Sequence, residues 1–305
     1  AGVDVSVVAR VGYPWDSQVD GKTPKVQRRV VTLDDVEYTH LPGPRLGSTP
    51  TDHYILSCAD AFVREARLRR PSLIQSASNH VTGLAALIAA RRVGVPFVYE
   101  VRGLWEVTEA SAKEGWAATE RYQQQADFET LVATEADAVL AITEETRQEL
   151  IRRGVPADKI TLAPNAVDPG VFVPLPKDEA YARQHRVRTD VPVIASPARW
   201  SATKVSTCSS TPSPSCVTKG RHPARPRRLR RCGAALKKQA EALDLGDTVR
   251  FVGRVPASEM QRMISLFDVM PCPRRSLPVT EMVSPLKPLE AFSCAKPSSS
   301  PTSRR

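Results

Sequence analysis

Between residues 73 and 162, short apolar runs alternate with longer segments of helical periodicity, and this alternation constrains the fold more than any other feature. It predicts strands at 73–77, 96–101, 138–142 and 159–162 and helices at 81–92, 113–134 and 143–154. Strands joined by helices of this length pair in parallel through right-handed crossovers. The sequence therefore predicts an α/β domain with a doubly wound sheet, whose ligands bind beyond the carboxyl ends of the strands.

The first 70 residues give weaker signals. A buried strand is predicted at 4–9 and a weak one at 30–33. Thr51 and Asp52 are positioned to cap a helix that runs to about Arg70. The apolar face of this helix is predicted to contain Ile55, Ala59, Phe62, Val63 and Ala66.

After residue 173 the chain becomes rich in proline and then in charge, and residues 174–190 are interpreted as an interdomain link. The α/β pattern then returns, with strands predicted at 191–195, 248–252 and 268–271 and helices at 234–243 and 258–266. The expected domains are therefore 1–173 and 191–305. Two α/β domains joined by a link, with candidate ligand groups at facing strand ends, imply a cleft between them.

The stretch 278–297 contains the densest group of candidate site residues. It is predicted to begin as an extended loop carrying Glu281. A helix follows, with Pro288 at its first position, where no amide hydrogen is needed.

The start of that helix has the composition of an anion site. Free amides around Leu289 and the charge of Lys287 would attract a phosphate, and Glu290 in the first turn would accept hydrogen bonds from sugar hydroxyls. Together these groups suggest a nucleotide-sugar site. The alternative is a solvated helix start with a helix-favouring glutamate.

Polar side chains also follow the predicted strands of the first domain. His80, Arg102 and Asn165 each come just after a strand. Arg102 beside a glycine is suited to a bidentate phosphate contact, and its alternative is an ion pair with Glu100 or Glu106. His80 is a candidate cleft residue, and its alternative is a helix cap.

The net charge of +10 is concentrated in two segments. Residues 196–233 contain nine Lys and Arg and no Asp or Glu, and Arg304 and Arg305 end the chain. Without these, 32 Lys and Arg stand against 33 Asp and Glu, so the rest of the chain is close to neutral. A nucleic-acid-binding protein is thus an unfavoured alternative, because no aromatic residues interleave with the basic run at 221–231.

The lengths of the apolar runs and the spacing of the cysteines bear on where the protein is located in the cell. No apolar run approaches the ~20 residues of a membrane helix. The six cysteines show no metal-type spacing, so no metal is expected, and scattered thiols suit the cytoplasm.

Four segments, in this order, resemble the family 4 glycosyltransferases. They are Val-Tyr-Glu-Val-Arg-Gly-Leu-Trp-Glu at 98–106, Pro-Asn-Ala-Val-Asp at 164–168, Phe-Val-Gly-Arg-Val at 251–255, and 285–297. The resemblance covers residues 1–195 and 234–297. It implies the GT-B architecture, in which two Rossmann-like, doubly wound domains face each other across a cleft. It also implies a retaining transfer of a sugar from a nucleotide-sugar donor to a glycan or lipid-linked acceptor. It also implies no metal cofactor, a cytoplasmic location and peripheral association with the inner face of the membrane.

The resemblance assigns roles to individual residues. Glu290 would hold the donor ribose, with the amides near Leu289 and the charge of Lys287 on the diphosphate. Gly253 and Val255 would lie along the nucleobase. Glu281 would face the transferred sugar, with Arg102 as the second candidate catalytic residue, and Asn165 would reach the donor from the N-terminal side. Glu281 and Glu290 are nine residues apart, whereas the family pair is eight apart.

Residues 196–233 depart from the family, which has a glycine-rich turn, a helix and a strand there. This segment is rich in Ser, Thr, Pro and Arg and is predicted to form neither an apolar strand nor a regular helix. One alternative is a disordered insertion and another is a basic RNA-binding segment. Residues 196–212, 225–231 and 298–304 can each be encoded by bases that, in another reading frame, would give the family elements missing there. We therefore hypothesise that these segments are translated out of frame.

The ends of the chain also depart from the family. The first βα unit and the last helix are expected to be missing, so the second domain would be incomplete. Weak or absent donor binding by this chain follows as an expectation. A nucleotide-sugar epimerase of the same fold is the close alternative function, and it would need its own acid and base residues.

Overall fold

The structure is a computed structural model that describes residues 2–17, 27–196, 216–219, 237–245, 248–253, 255–272, 274 and 276–298. The chain forms two compact units, Ala1–Pro164 and Asn165–Arg305. The division falls earlier than the boundary expected after residue 173.

The first unit begins with a small mixed sheet. Its strands are β1 (Ser6–Val8), β2 (Arg29–Leu33) and β3 (Val36–His40), in the order β1-β3-β2. β1 is parallel to β3, and β2 is antiparallel to β3. The prediction of a buried first strand is wrong, because Ser6 is exposed and Val7 and Val8 are half-buried. β3 was not predicted, since Asp34 and Asp35 form its hairpin turn with positive φ but lack the usual glycine signal.

The main sheet of this unit has four parallel strands in sequence order: β4 (Ile74–Ala77), β5 (Phe97–Val101), β6 (Ala138–Ala141) and β7 (Ile160–Leu162). Its helices are α1 (Thr51–Arg69), α2 (His80–Val93), α3 (Trp105–Ala110), α4 (Glu120–Glu135) and α5 (Glu144–Arg152). The predicted parallel α/β domain is therefore confirmed.

Local sequence signals explain most of these helices. All five predicted apolar positions of α1 are buried. The side chain of Thr143 accepts a hydrogen bond from the amide of Thr146 and caps α5, and Gly94 ends α2 in the left-handed conformation. The long helix predicted at 113–134 begins only at Glu120, and α3 precedes it.

Gly83 allows α2 to approach the sheet and α4. A Cβ atom at this position would lie 2.8 Å from Cε2 of Tyr99 and 3.0 Å from Cγ1 of Val132, both buried side chains. Any larger residue would therefore push α2 away from β5.

The second unit has a three-stranded parallel sheet in the order β10-β9-β8. The strands are β8 (Ile194–Ser196), β9 (Cys216–Lys219) and β10 (Val249–Gly253). The helices are α6 (Glu179–Gln184), α7 (residues 237–242), α8 (Met260–Ser265), α9 (Pro278–Met282) and α10 (Lys287–Ser293).

Three predictions for this unit need correction. The segment 196–233 does contain a strand, since the backbone of β9 pairs with both β8 and β10. The expected link at 174–190 contains α6, whose Tyr181 is packed in the core of this unit. The strand predicted at 268–271 is reduced to a single bridge between Ile194 and Val269. The expected glycine-rich turn and the other residues of 197–236 and 299–305 lie outside the described residues.

We predict that Glu65→Gln lowers the free energy of unfolding of the first unit by about 2 kcal/mol at pH 7. Arg28 donates from Nε and Nη2 to the buried Glu65 carboxylate at 2.8 and 3.0 Å, and this holds the pKa of Glu65 below its usual value. A lowered folded-state pKa stabilises the fold above the unfolded pKa of about 4.3, and this stabilisation is lost as pH falls through the folded value.

Chemical denaturation at pH 7 and pH 3 measures this difference. The deficit of Glu65→Gln should shrink at the lower pH. The exposed Glu114→Gln is the matched control and should change little at either pH. A deficit of the same size at both pH values would contradict the assignment.

Candidate functional sites in the two units

In the first unit, the carboxyl ends of β4 and β5 are tied together. The amide of Ser78 donates to the carbonyl of Glu100 at 2.8 Å, and the Ser78 hydroxyl accepts from the amide of Arg102 at 3.1 Å. Because the two strands are parallel and adjacent, His80 and Arg102 follow strand ends at the same edge of the sheet.

The Arg102 guanidinium forms a bidentate ion pair with Glu100. Its Nε and Nη2 donate to the carboxylate at 2.7 and 2.8 Å. This pairing raises the pKa of Arg102 and lowers that of Glu100. The side chain of Arg102 remains 63% exposed, so a competing anion has access to the guanidinium. Of the two ion-pair partners predicted for Arg102, Glu100 and Glu106, the one that pairs with it in the structure is Glu100.

Glu106 instead belongs to a buried pair. Its Oε1 lies 2.8 Å from Nη1 of Arg153, which also bonds Glu149 from Nε at 2.8 Å. Burial raises the pKa of Glu106, and the nearby Arg153 opposes that effect. The pair joins the first turn of α3 to the end of α5, which is a structural role.

His80 lies beside a second buried carboxylate, that of Glu129 on α4. The backbone amide of His80 donates to Glu129 Oε1 at 2.7 Å, and the Tyr99 hydroxyl donates to Oε2. The imidazole Nδ1 lies 3.6 Å from Oε1, and the ring stacks on Phe128. The alternative that the His80 side chain caps α2 is wrong. The side chain that accepts a hydrogen bond from the first amide of α2 is that of Glu129.

In the second unit, the stretch 278–297 folds differently from the prediction. Residues 278–282 are helical, because Pro278 opens α9 and the Thr280 hydroxyl bonds the amide and carbonyl of Leu277. The expectation of an extended loop around Glu281 is therefore wrong. Pro288 is the second residue of α10, one place later than predicted.

The two candidate carboxylates of this stretch have different surroundings. Glu281 is exposed and accepts a hydrogen bond from the Ser276 hydroxyl. Glu290 is half-buried in the first turn of α10, and within the described ranges its carboxylate has no hydrogen-bond partner. Lys287 and Leu289 lie in the same turn. Glu290 is thus the carboxylate that is available to a ligand.

Two side chains fix the turn between α9 and α10. Asn165 donates from Nδ2 to the carbonyl of Ser284 at 2.9 Å, which places this predicted site residue in the second unit. Arg274 donates from Nη1 to the carbonyl of Val283 at 2.6 Å.

Arg274 was not predicted as a site residue. Burial lowers its pKa, and no carboxylate pairs with it among the described residues. The feature of the sequence that could have indicated it is the pair of adjacent arginines at 274 and 275, just before the stretch 278–297.

The remaining predicted site residues lie at the end of β10. Gly253 is exposed, has φ of +72° and has open space where a Cβ would lie. Val255 is 1% exposed and belongs to the core of the unit, so only its backbone is available to a nucleobase. Over the ranges that the structure describes, no group of three or more His, Cys, Asp or Glu is arranged to hold a metal ion.

Solved structures with the GT-B fold align with this chain, and at these sequence identities the similarity concerns the fold. Sucrose-phosphate synthase from Thermosynechococcus elongatus aligns with a TM-score of 0.75 and 19% identity, over 98% of this chain and 71% of that one. HepE from Anabaena in complex with UDP aligns with a TM-score of 0.63 and 18% identity, over 86% and 66%. Trehalose 6-phosphate synthase from Burkholderia multivorans aligns with a TM-score of 0.61 and 13% identity, over 97% and 82%.

Residues 1–166 match the family described as the glycosyl transferase 4-like domain. The match covers more than half of the chain, and the protein belongs to this family of glycosyltransferases. No curated protein matches the chain. Among the helices within the described ranges, none has the length and apolarity that crossing a membrane requires.

We predict that Tyr99→Phe lowers the free energy of unfolding by about 1–2 kcal/mol, because Glu129 would lose a donor in a buried site. Burial and the Glu129 carboxylate hold the pKa of Tyr99 well above its usual value, so the hydroxyl stays protonated and donating. Urea unfolding measures the loss. Tyr122→Phe on α4 is the control, since its hydroxyl has no hydrogen-bond partner in the described part of the chain. Equal losses for both variants would contradict the role given to Tyr99.

Proposed function

We propose that this protein is a retaining glycosyltransferase, of the hexosyltransferase type, that moves a sugar from a nucleotide-sugar donor to a glycan or lipid-linked acceptor. The proposal extends family membership, which establishes glycosyl transfer in general. The proposed location is the cytoplasm, at the inner face of a membrane. The observation that carries the donor assignment is the first turn of α10, where the Glu290 carboxylate, which has no hydrogen-bond partner among the described residues, is combined with Lys287.

The donor side of the proposal assigns one group to each part of the nucleotide. The Glu290 carboxylate accepts hydrogen bonds from the ribose hydroxyls. Lys287 and the amide of Leu289 contact the diphosphate, where positive charge and free amides favour an anion. The backbone around Gly253 and Val255 contacts the base. HepE, a protein of similar fold, has been solved with UDP-glucose, and this supports the choice of ligand class.

Charge on the leaving diphosphate is the main electrostatic problem of the reaction. We propose that protein cations and amides stabilise it without a metal ion. Arg274 is a further candidate, because its guanidinium is half-buried and has no carboxylate among the described residues to neutralise it. Glu281 is assigned to the transferred sugar and Asn165 to the support of the turn beside it. Arg102 of the first unit is proposed to exchange Glu100 for a phosphate or a sugar hydroxyl.

We predict that Glu290→Gln weakens nucleoside diphosphate binding roughly tenfold, because an uncharged amide replaces a carboxylate that accepts two hydroxyl hydrogen bonds. Isothermal titration of UDP, GDP and ADP into the full chain measures the change. Glu241→Gln, on the exposed side of α7, is the matched control and should bind as the parent does. Equal affinity of Glu290→Gln and the parent would contradict the assignment of the donor site.

Donor binding by the parent chain is expected to be weak, because residues 196–233 lack the family's glycine-rich turn. Measurable nucleotide-sugar turnover would overturn that expectation. The anomeric configuration of any product would then test retention. Sequencing the encoding DNA tests the out-of-frame hypothesis, since the alternative codons are either present or absent.

A further inference from the structure

The small sheet of the first unit has an open outer edge at β2. This strand pairs with β3 without a bulge, from Arg29 opposite His40 to Leu33 opposite Val36. In the described part of the chain, no strand pairs with the other side of β2. Natural proteins commonly protect such an edge with a proline, a bulge or a lysine, because its free backbone groups pair readily with another chain. The central residues 30–32 include neither proline nor lysine.

The hairpin turn determines which backbone groups of β2 face outward. Asp34 and Asp35 form a two-residue turn, with φ of +49° and +63°. In such a hairpin the closing pair, Leu33 and Val36, exchanges both of its backbone hydrogen bonds. Hydrogen-bonded and non-hydrogen-bonded pairs alternate along the ladder, so the amide and carbonyl of Thr32 point away from β3. The centre of β2 therefore presents a donor and an acceptor at the open edge.

One face of β2 is covered by α1. Thr39 and Glu37 of β3 accept hydrogen bonds from Arg69 of α1 at 2.9 and 2.8 Å. Val30 and Thr32 lie opposite these two residues and share their face of the sheet. The alternate residues of β2 therefore lie on the face away from α1.

That second face contains Arg29, Val31 and Leu33. Leu33 is 56% exposed. Arg29 and the turn residues Asp34 and Asp35 are also exposed, and none of the three charged side chains has a partner within the described ranges. The face thus combines apolar side chains with unpaired charges of both signs.

The order of charges along β2 is complementary to itself in the reverse direction. Arg29 precedes the uncharged centre of the strand, and Asp34 and Asp35 follow it. Residues directly opposite each other in an antiparallel pair share a face of the sheet. A twofold axis at Thr32 satisfies this rule, because it places Val31 of one copy opposite residue 33 of the other and Arg29 opposite Asp35. Each copy then brings one arginine to the other copy's turn.

We propose that this protein forms a symmetric dimer through antiparallel pairing of β2 with β2 of a second copy. The two three-stranded sheets would become one continuous sheet. The outward backbone groups of Thr32 supply the central hydrogen bonds, and Arg29 pairs with the carboxylates of Asp34 and Asp35. A single strand pair buries less surface than a permanent interface, so we expect a reversible dimer with a Kd on the order of 100 μM. The proposed function does not enter this inference.

Sedimentation velocity of the full chain, at concentrations from about 5 to about 500 μM, measures the association. Arg29→Glu should weaken it roughly fivefold or more, because a glutamate would then oppose Asp35 twice in each dimer. Arg121→Glu on α4 is the matched control, since it makes the same change of charge at an exposed position on another element. It should associate as the parent does.

Two further variants separate association from folding. The pair Asp34→Asn and Asp35→Gly gives the hairpin its favoured turn sequence, so thermal unfolding should show no loss of stability. The dimer should still weaken, because both carboxylates opposite Arg29 are removed. Thr32→Pro removes the outward amide, which an edge strand tolerates, and should abolish the dimer.

A parent chain that remains monomeric at about 500 μM would overturn the inference. So would a folded Thr32→Pro variant that associates as the parent does, because the pairing requires the amide at that position. Equal weakening by Arg29→Glu and Arg121→Glu would also count against it, since the association would then depend on net charge and not on the edge of β2.

Discussion

Parallel pairing of β4, β5, β6 and β7 is the constraint on which the first unit depends. Each parallel connection must return through a helix, so α2 after β4 and α3 after β5 begin near the carboxyl edge of the sheet. His80, which follows β4, and Arg102, which follows β5, lie at that edge. Because Gly83 lets α2 pack against Tyr99, the same close approach brings α2 within reach of Glu129. The close approach of α2 to the sheet therefore determines both the packing on Tyr99 and the hydrogen bond to Glu129.

The Glu129 carboxylate connects that packing to the polar groups at the start of α2. It is buried, and it satisfies both a helix-start amide and a tyrosine hydroxyl that would otherwise lack partners. A carboxylate in this position costs desolvation, which its donors offset. The same carboxylate lies 3.6 Å from Nδ1 of the His80 imidazole. The buried pair of Glu106 and Arg153 holds α3 against α5.

Periodicity in the sequence predicted the regular elements well and the polar network poorly. The four central strands and α1, α2 and α5 followed from apolar spacing and from caps at Gly94 and Thr143, which are local signals. Glu129 could not be predicted, because it lies in the middle of α4 and its partners are 30 and 49 residues away in sequence. Arg274 was missed as well, because its half-buried position and the lack of a carboxylate partner among the described residues arise only in the folded chain. The helical state of 278–282 depended on Thr280 bonding Leu277, a contact that composition does not reveal.

In the second unit, the sequence requirements of the sheet differ from those of a phosphate-binding site. β9 forms between β8 and β10 although its surroundings in sequence are rich in Ser, Pro and Arg, because its four residues include no proline and each supplies a backbone donor and acceptor to the ladder. A phosphate-binding turn is more demanding, since it needs glycines that let successive amides point at the anion. A segment without those glycines can therefore complete a sheet and still fail to bind a diphosphate. By this reasoning, the GT-B fold of the chain is a weaker guide to its activity than the residues around Glu290 and the composition of 196–233.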